Sequence, residues 1–100
     1  MAQKSSNRHI STKSSSFGEK ITLLCVAKGD PIPRLGWLKD GSELIPHQFC
    51  RIVEREFNLT SIKSKLEIDP AKQIDAGTYE CHANNKYSTD RNTFKVDCAT

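Results

Sequence analysis

The sequence predicts an all-β protein in which two sheets pack face to face as a sandwich. Several short segments alternate apolar and polar residues with a period of two, which is the period of a strand. In the clearest of them, residues 62–69, the residues Ile62, Leu66 and Ile68 fall on one side. Turn sequences rich in Gly, Pro, Asn and Asp separate the segments. Many short strands at such spacing are typical of two packed sheets.

The predicted strands follow one another from residue 20 onward, and no segment keeps a sustained helical period. Glu54, Arg55 and Glu56 alternate in charge, which indicates a solvated strand in the middle of the chain. Residues 69–77 are expected to contain one short helical turn. The faces that we expect to point inward are Ile21, Leu23 and Cys25 in residues 20–26, Leu35 and Trp37 in 34–39, Ile62, Leu66 and Ile68 in 62–69, Tyr79, Cys81 and Ala83 in 79–83, and Phe94 and Val96 in 93–97.

Residues 1–16 differ from the rest of the chain because they are rich in Ser and carry Lys4, Arg8 and Lys13 without an acid. We expect a disordered tail or linker here and a folded domain over residues 17–98. The net charge of +3 lies wholly in this tail, since residues 17–100 hold 12 basic and 12 acidic side chains. This balance argues against a nucleic-acid partner, which needs a clustered basic excess on the folded part.

The length of 100 residues is enough for one domain and too short for two. No apolar run approaches the ~20 residues of a membrane-spanning helix, so we expect no membrane insertion by this segment. The first residues also lack the apolar stretch of a signal peptide. We therefore expect the domain to come from a longer protein.

Two of the four cysteines fall on inward faces. Cys25 and Cys81 are 56 positions apart, and Trp37 follows Cys25 by 12 positions on another inward face. A disulfide between them would join the two sheets across the core, with Trp37 packed against the sulfurs. In the chain-entropy account of disulfides, closing a loop of that length adds roughly 4 kcal/mol to the free energy of unfolding.

Three stretches of the chain resemble the immunoglobulin superfamily, and within it the intermediate set (I-set). "GEKITLLC" at 18–25 is similar to the approach to the first family cysteine, and "AKGDPIPRLGWLKDG" at 27–41 to the following loop and core Trp. "LEIDPAKQIDAGTYECHANN" at 66–85 is similar to the segment around the second cysteine. The resemblance covers residues 17–97 and implies a Greek-key sandwich. We expect its core to contain the Cys25–Cys81 disulfide, Trp37, Tyr79 and Leu66.

The resemblance also implies structural roles for residues around the second cysteine. Tyr79 would be the corner tyrosine, with its hydroxyl bonded to the backbone near the preceding turn. Asp75 would lie in that turn and pair with Arg51 at the start of the fourth strand. Gly77 would supply a backbone conformation with positive φ or a close approach. One departure is Ser88, where family members often have Gly, so we expect Asn84 or Asn85 to take a left-handed conformation in the final hairpin.

The remaining cysteines are Cys50, just before the fourth strand, and Cys98, after the last strand. They would lie toward the same pole on opposite edges of the sandwich. Three alternatives stay open: a second disulfide between them, free thiols, or a link to another chain or domain. A disulfide would need their Cα atoms within ~7 Å. Four cysteines with one expected disulfide favour an oxidising compartment, as does the N-glycosylation acceptor triplet at Asn58.

Residues that could support catalysis or metal binding are sparse. There is no glycine-rich phosphate loop. His9 is in the tail, and His82 should point outward from its strand. His47 and Cys50 have a spacing that could ligate a metal, but zinc sites usually need three or four ligands. We therefore expect no enzymatic activity, no cofactor and no metal site.

The resemblance implies an extracellular binding module of an adhesion molecule, receptor or secreted recognition protein. Its partner would be another protein, including a like immunoglobulin domain. The candidate surfaces are the loop around Pro31, Pro33 and Arg34 and the hairpin with Lys86, Tyr87 and Arg91, since Tyr and Arg are favoured interface anchors. The alternative is a structural I-set domain of an intracellular muscle or cytoskeletal protein. A weaker hypothesis is contact between the basic tail and an anionic polysaccharide.

Overall fold

Two β-sheets form the fold in the computed structural model, which describes residues 9–16 and 18–99. This part of the chain contains eight strands. A 3₁₀ turn at Gln73–Asp75 precedes β7, inside the segment where the sequence predicts a helical turn. The strands are β1 (His9–Ser16), β2 (Ile21–Lys28), β3 (Arg34–Lys39), β4 (Ser42–Glu43), β5 (Cys50–Asn58), β6 (Ser61–Ile68), β7 (Gly77–Asn84) and β8 (Thr89–Ala99).

The strand order confirms the predicted two-sheet sandwich. One sheet has the order β1-β8-β7-β3-β4, and the other has the order β2-β6-β5. All neighbouring strands are antiparallel except β1 and β8, which are parallel. The chain changes sheet after β1, β2, β4 and β6, so both layers are built from strands that are scattered along the sequence. Within the described residues, no helix is long and apolar enough to cross a membrane.

Strand β1 corrects the expected tail at residues 1–16. Residues 9–16 pair with β8 in continuous register, from His9 beside Asn92 to Ser16 beside Ala99. An edge strand can pair with its neighbour through backbone hydrogen bonds whatever its side chains are. It can therefore form without the alternation of apolar and polar residues by which a strand is predicted from sequence. Residues 1–8 of the expected tail lie outside the described part of the chain.

The core lies between the inward faces of the two sheets and contains the predicted disulfide. Cys25 of β2 and Cys81 of β7 are bonded, with their Cα atoms 6.4 Å apart. Trp37 is the neighbour of Cys81 on β3 and is only 4% exposed. Its indole N–H donates to Ser64 Oγ on the opposite sheet at 2.9 Å, which satisfies a buried polar group. Leu66 and Tyr79 are also buried in this core.

A network of backbone-directed contacts fixes the turn before β7. The Tyr79 hydroxyl donates to the Asp75 carbonyl at 2.6 Å, in the geometry of a corner tyrosine. Burial and the nearby Asp75 carboxylate raise the pKa of Tyr79 above its usual range. Gly77 has a φ of 151°. A Cβ at Gly77 would lie 2.8 Å from the Asp40 carboxylate, so the site requires glycine.

The expected ion pair between Arg51 and Asp75 is wrong. Arg51 stands directly opposite Glu67 on β6, and both side chains point away from the core. The Arg51 guanidinium therefore pairs with Glu67, with Nη2 2.9 Å from Oε1. The Asp75 carboxylate instead accepts the backbone N–H of Lys72 at 2.8 Å, within its own turn.

Candidate functional site

Three loops meet at one end of the sandwich, which we call the loop end. They are the β2–β3 loop (residues 29–33), the β5–β6 turn (residues 59–60) and the β7–β8 hairpin loop (residues 85–88). The Gly29 N–H donates to the Thr60 carbonyl at 2.8 Å, and the Asn85 side-chain amide donates to the Pro31 carbonyl at 2.8 Å. The three loops are therefore tied together by hydrogen bonds.

Asn85 organises the loop end, a role that the sequence pattern did not identify. Its Oδ1 accepts the backbone N–H groups of Tyr87 and Ser88, each at 2.9 Å, while its Nδ2 reaches Pro31. One side chain therefore closes the hairpin and holds it against the β2–β3 loop. The expectation of a left-handed Asn84 or Asn85 is wrong, because Asp40 is the single non-glycine residue with positive φ within residues 9–16 and 18–99.

The hairpin presents exposed side chains at the loop end. Tyr87 is 73% exposed, and the Lys86 ammonium lies 5.3 Å from the centre of its ring. The remaining candidates differ in their exposure. Pro33 is buried beneath the loop, so it supports the backbone and is not part of a contact surface. The exposed candidates are Pro31, Arg34, Lys86, Tyr87 and Arg91.

Asn58, the predicted glycan acceptor, is the last residue of β5 and is exposed at the same end. Its Oδ1 accepts the Thr60 backbone N–H at 2.9 Å and the Thr60 hydroxyl at 3.2 Å. Leu59 between them is 92% exposed. The triplet therefore forms a tight, solvent-facing turn.

A second candidate surface is the outer face of the three-stranded sheet. The balanced charge total of the sequence did not predict it. Successive side chains of a strand point to opposite faces, so every second side chain of β2, β5 and β6 faces solvent. Six basic side chains gather here with two acids, Glu67 and Asp69. We call this surface the basic face; its cations are Lys20, Lys28, Arg51, Arg55, Lys63 and Lys65.

Glu67 accepts contacts from three of these cations. Arg51 Nη2 lies 2.9 Å from its Oε1, and the ammonium groups of Lys65 and Lys20 lie 3.3 Å and 3.4 Å from its Oε2. The Arg51 hydrogen bond, followed by those from Lys65 and Lys20, lowers the pKa of Glu67 to about 2. This carboxylate is therefore ionised over the whole physiological pH range.

The end of the sandwich opposite the loop end contains an apolar cavity of about 280 Å³. Its walls include Leu44, Phe49, Ile68 and Tyr79. Cys50 also lines it with a free thiol, and burial raises the pKa of that thiol. A protonated thiol is a poor nucleophile and a poor metal ligand.

The spacing of His47 and Cys50 is explained by a turn, since each donates its backbone N–H to the other's carbonyl. The described residues hold no cluster of three or more side chains suited to a metal ion. Cys98 is also a free, buried thiol, so the structure contains no second disulfide between Cys50 and Cys98.

Comparison with known proteins agrees with this architecture. The sequence profile of the immunoglobulin I-set domain matches residues 5–98. The chain is 38% identical over 81 residues to the immunoglobulin domain-containing protein oig-4 of Caenorhabditis elegans and covers 52% of that protein. It is 40% identical over 80 residues to mouse myopalladin, of which it covers 6%. The chain thus spans about half the length of oig-4 and far less of the larger relatives.

Solved structures with the same fold come from both muscle and cell-surface proteins. Titin domain M7 superimposes with a TM-score of 0.77 at 21% identity, covering 90% of this chain and 87% of the titin domain. The first eight immunoglobulin domains of the Down syndrome cell adhesion molecule give 0.82 at 24% identity, covering 88% of this chain and 11% of the other. With the profile match across the whole sandwich, the conclusion is that this chain belongs to the immunoglobulin I-set domain family.

Proposed function

We propose that this chain is an extracellular recognition domain that binds another protein at its loop end, without catalysis. The observation that carries this proposal is the preorganised hairpin. Asn85 fixes the backbone of Tyr87 and Ser88 by hydrogen bonds and leaves the Tyr87 ring in solvent. A rigid, exposed aromatic side chain beside a cation loses little conformational entropy on binding, which makes it suited to anchor a partner.

The extracellular part of the proposal is supported by the chemistry of the core and of one turn. The Cys25–Cys81 disulfide is of the kind that persists in oxidising compartments. Asn58 is an exposed acceptor triplet at a turn where a sugar can be accommodated. A glycan there would stand beside the binding hairpin, so it would also restrict the directions from which a partner approaches.

The partner we propose is another immunoglobulin-like domain. Two proteins of the same fold have been solved in such complexes, one of Dpr2 with DIP-Theta and one of titin M10 with an obscurin-like 1 immunoglobulin domain. Lys86 stands over the Tyr87 ring, and Arg34 and Arg91 are exposed on strands that adjoin the loop end, so we expect the partner surface to be acidic around an apolar pocket for the ring.

A binding screen against arrayed immunoglobulin ectodomains, including this chain itself, tests the proposal. Wild type should bind at least one ectodomain, and the double variant Lys86→Ser/Tyr87→Ser should lose most of that affinity, at least about tenfold for a central aromatic anchor. The control is Lys95→Ser, which makes the same change in net charge at an exposed lysine away from the loop end. Equal loss in both variants, or retention by the hairpin variant, would contradict the proposed surface.

The second candidate function is a structural role in an intracellular muscle protein. It is favoured by the 40% identity to myopalladin and the 32% identity to the muscle M-line assembly protein unc-89. Antibody staining of the natural protein separates the two candidates. Staining of intact cells supports an extracellular domain, whereas staining that appears only after permeabilisation supports the structural role.

A further inference from the structure

We infer that the basic face is a binding site for a linear sulfated polysaccharide, separate from the loop end. The arrangement follows from strand register. On β6, Lys63 and Lys65 occupy successive outward positions, and Arg55 stands directly beside Lys63 on β5. Neighbouring strands lie about 4.8 Å apart and alternate residues along one strand about 6.8 Å apart. The cations therefore form a closely spaced grid along the strands.

The charge of this grid is only partly neutralised. Two acidic side chains lie on the face: Glu67, which is shared by Arg51, Lys65 and Lys20, and Asp69 at its end, beside Lys20 and Arg51. The other three cations, Lys28, Arg55 and Lys63, form no ion pair with any residue in 9–16 or 18–99. Six positive charges against two negative charges leave a local excess, although the folded part as a whole is balanced. Such an excess attracts polyanions.

The dimensions of the face favour an extended ligand over a folded protein. Its backbone grid is three strands wide and four outward residues long, roughly 10 Å by 20 Å from strand spacing and rise. A stable protein interface covers about 800 Å² on each partner, well beyond this strip. A single polysaccharide chain lying along β6 matches the width, and its sulfate and carboxylate groups match the charge.

Apolar side chains lie between the cations and suit the same ligand. Leu24, Val26 and Val53 are about half exposed and occupy outward positions beside Lys63 and Lys65. Their short side chains end below the longer lysine and arginine side chains. Sugar rings can rest their C–H surfaces on this layer while the charged groups engage the cations above it. Insertion into a membrane would require the apolar groups to protrude furthest, which is the opposite arrangement.

Titration of the whole chain with size-defined heparin oligosaccharides at several salt concentrations tests this inference. The double variant Arg55→Ser/Lys63→Ser removes two adjacent unpaired cations. We expect its affinity to fall about tenfold or more. The slope of log affinity against log salt should fall by about two, because two charge contacts are lost. Thermal unfolding of the variant should be close to wild type, since neither side chain is in an ion pair.

Three controls make the result decisive. Lys72→Ser/Lys95→Ser makes the same change in net charge and should keep wild-type heparin affinity and slope; an equal loss would overturn the inference. A chain that begins at His9 keeps the basic face and lacks residues 1–8. If this chain no longer binds heparin, residues 1–8 and not the basic face bind the polysaccharide. Tighter binding to phosphatidylserine vesicles or to duplex DNA than to heparin at the same salt would also overturn it.

The heparin result does not depend on whether the loop end binds a protein partner. The hairpin variant Lys86→Ser/Tyr87→Ser should bind heparin like wild type, because its residues lie at the loop end. Loss of ectodomain binding with retained heparin binding would therefore leave this inference intact. Heparin affinity that depends on the hairpin and not on Arg55 and Lys63 would reject it.

Discussion

At the scale of the residue, Gly77 is the position where a single added methyl group should do most harm. Its φ of 151° is strained for other residues, and a Cβ would lie 2.8 Å from the Asp40 carboxylate. That carboxylate accepts the Thr78 N–H at 3.0 Å and cannot move without losing the bond. We expect Gly77→Ala to lower the free energy of unfolding by about 1–3 kcal/mol, measured by urea denaturation.

Gly36 is the matched control for Gly77. It lies in the middle of β3 on the outward side, and a Cβ there would meet no atom within 4 Å. Gly36→Ala should be neutral or stabilise the fold by a few tenths of a kcal/mol up to about 1 kcal/mol, because it restricts the unfolded chain. Equal destabilisation by both substitutions would show that the Gly77 argument is incorrect.

Glu67 should contribute to the acid sensitivity of the fold. Its pKa is lowered from 4.5 to about 2, first by the Arg51 hydrogen bond. Because the folded-state pKa lies below the unfolded one, this stabilisation is present above about pH 4.5 and is lost as the pH falls toward 2. In Glu67→Gln, the decrease in unfolding free energy between neutral pH and about pH 3 should be smaller than in wild type.

The control for Glu67 is Glu56→Gln on β5, an exposed carboxylate with no ion pair within the described residues. It should keep the wild-type loss of stability with acid. If Glu67→Gln shows the same acid dependence as wild type while Glu56→Gln flattens it, the ion-pair cluster around Glu67 does not act as described.

At the scale of the element, β1 is the strand whose contribution is easiest to isolate. It pairs with β8 over eight residues and covers what would otherwise be an open sheet edge. A chain beginning at residue 17 should be less stable than one beginning at His9, by at least about 1 kcal/mol for the lost backbone hydrogen bonds. Denaturant midpoints measure the loss, and faster amide exchange should appear along β8. Identical midpoints would mean that β1 does not dock in solution.

At the loop end, we expect the substitution of Asn85 to lower stability and loosen the hairpin. Asn85→Ala removes three hydrogen bonds, two to the hairpin backbone and one to Pro31, so we expect a loss of about 1–3 kcal/mol. The amides of Tyr87 and Ser88 should also exchange faster. Asn84→Ala is the control, because the Asn84 side chain makes no hydrogen bond within the described residues. Unchanged exchange at Tyr87 in Asn85→Ala would contradict the organising role of Asn85.

The strands differ in how well the sequence predicts them, for a physical reason. Strands β2, β3, β6, β7 and β8 each bury one face, and burial imposes the alternation that can be read from the sequence. Strand β1 has a Ser-rich sequence without apolar–polar alternation, and β4 has only two residues, so neither produces a pattern. The partner of Arg51 was missed because it depends on the β5–β6 register, which an isolated strand does not encode.

At the scale of the whole molecule, the two proposed surfaces arise from how the fold distributes residues that are far apart in sequence. Outward positions on β6 could be predicted from alternation, but the basic face needs β2, β5 and β6 side by side. The equal totals of acidic and basic residues in 17–100 therefore gave no sign of a surface with six cations and two acids. The loop end likewise joins Pro31 to Asn85, 54 positions apart.

The disulfide should be the largest single contribution to the stability of the sandwich. It closes a separation of 56 residues, and the chain-entropy account gives roughly 4 kcal/mol for such a loop. We expect Cys25→Ala/Cys81→Ala to lose about that amount, against a usual total of about 5–15 kcal/mol for a domain. Urea unfolding of the oxidised wild type and the variant measures the difference, and a loss below about 1 kcal/mol would contradict this role.

Peptide mapping by mass spectrometry of the full-length protein from its natural source tests the proposed extracellular recognition role most directly. We expect one peptide pair joined through Cys25 and Cys81, a glycan on Asn58, and unpaired thiols at Cys50 and Cys98. Reduced Cys25 and Cys81 together with an unmodified Asn58 would contradict the account and favour the intracellular structural role.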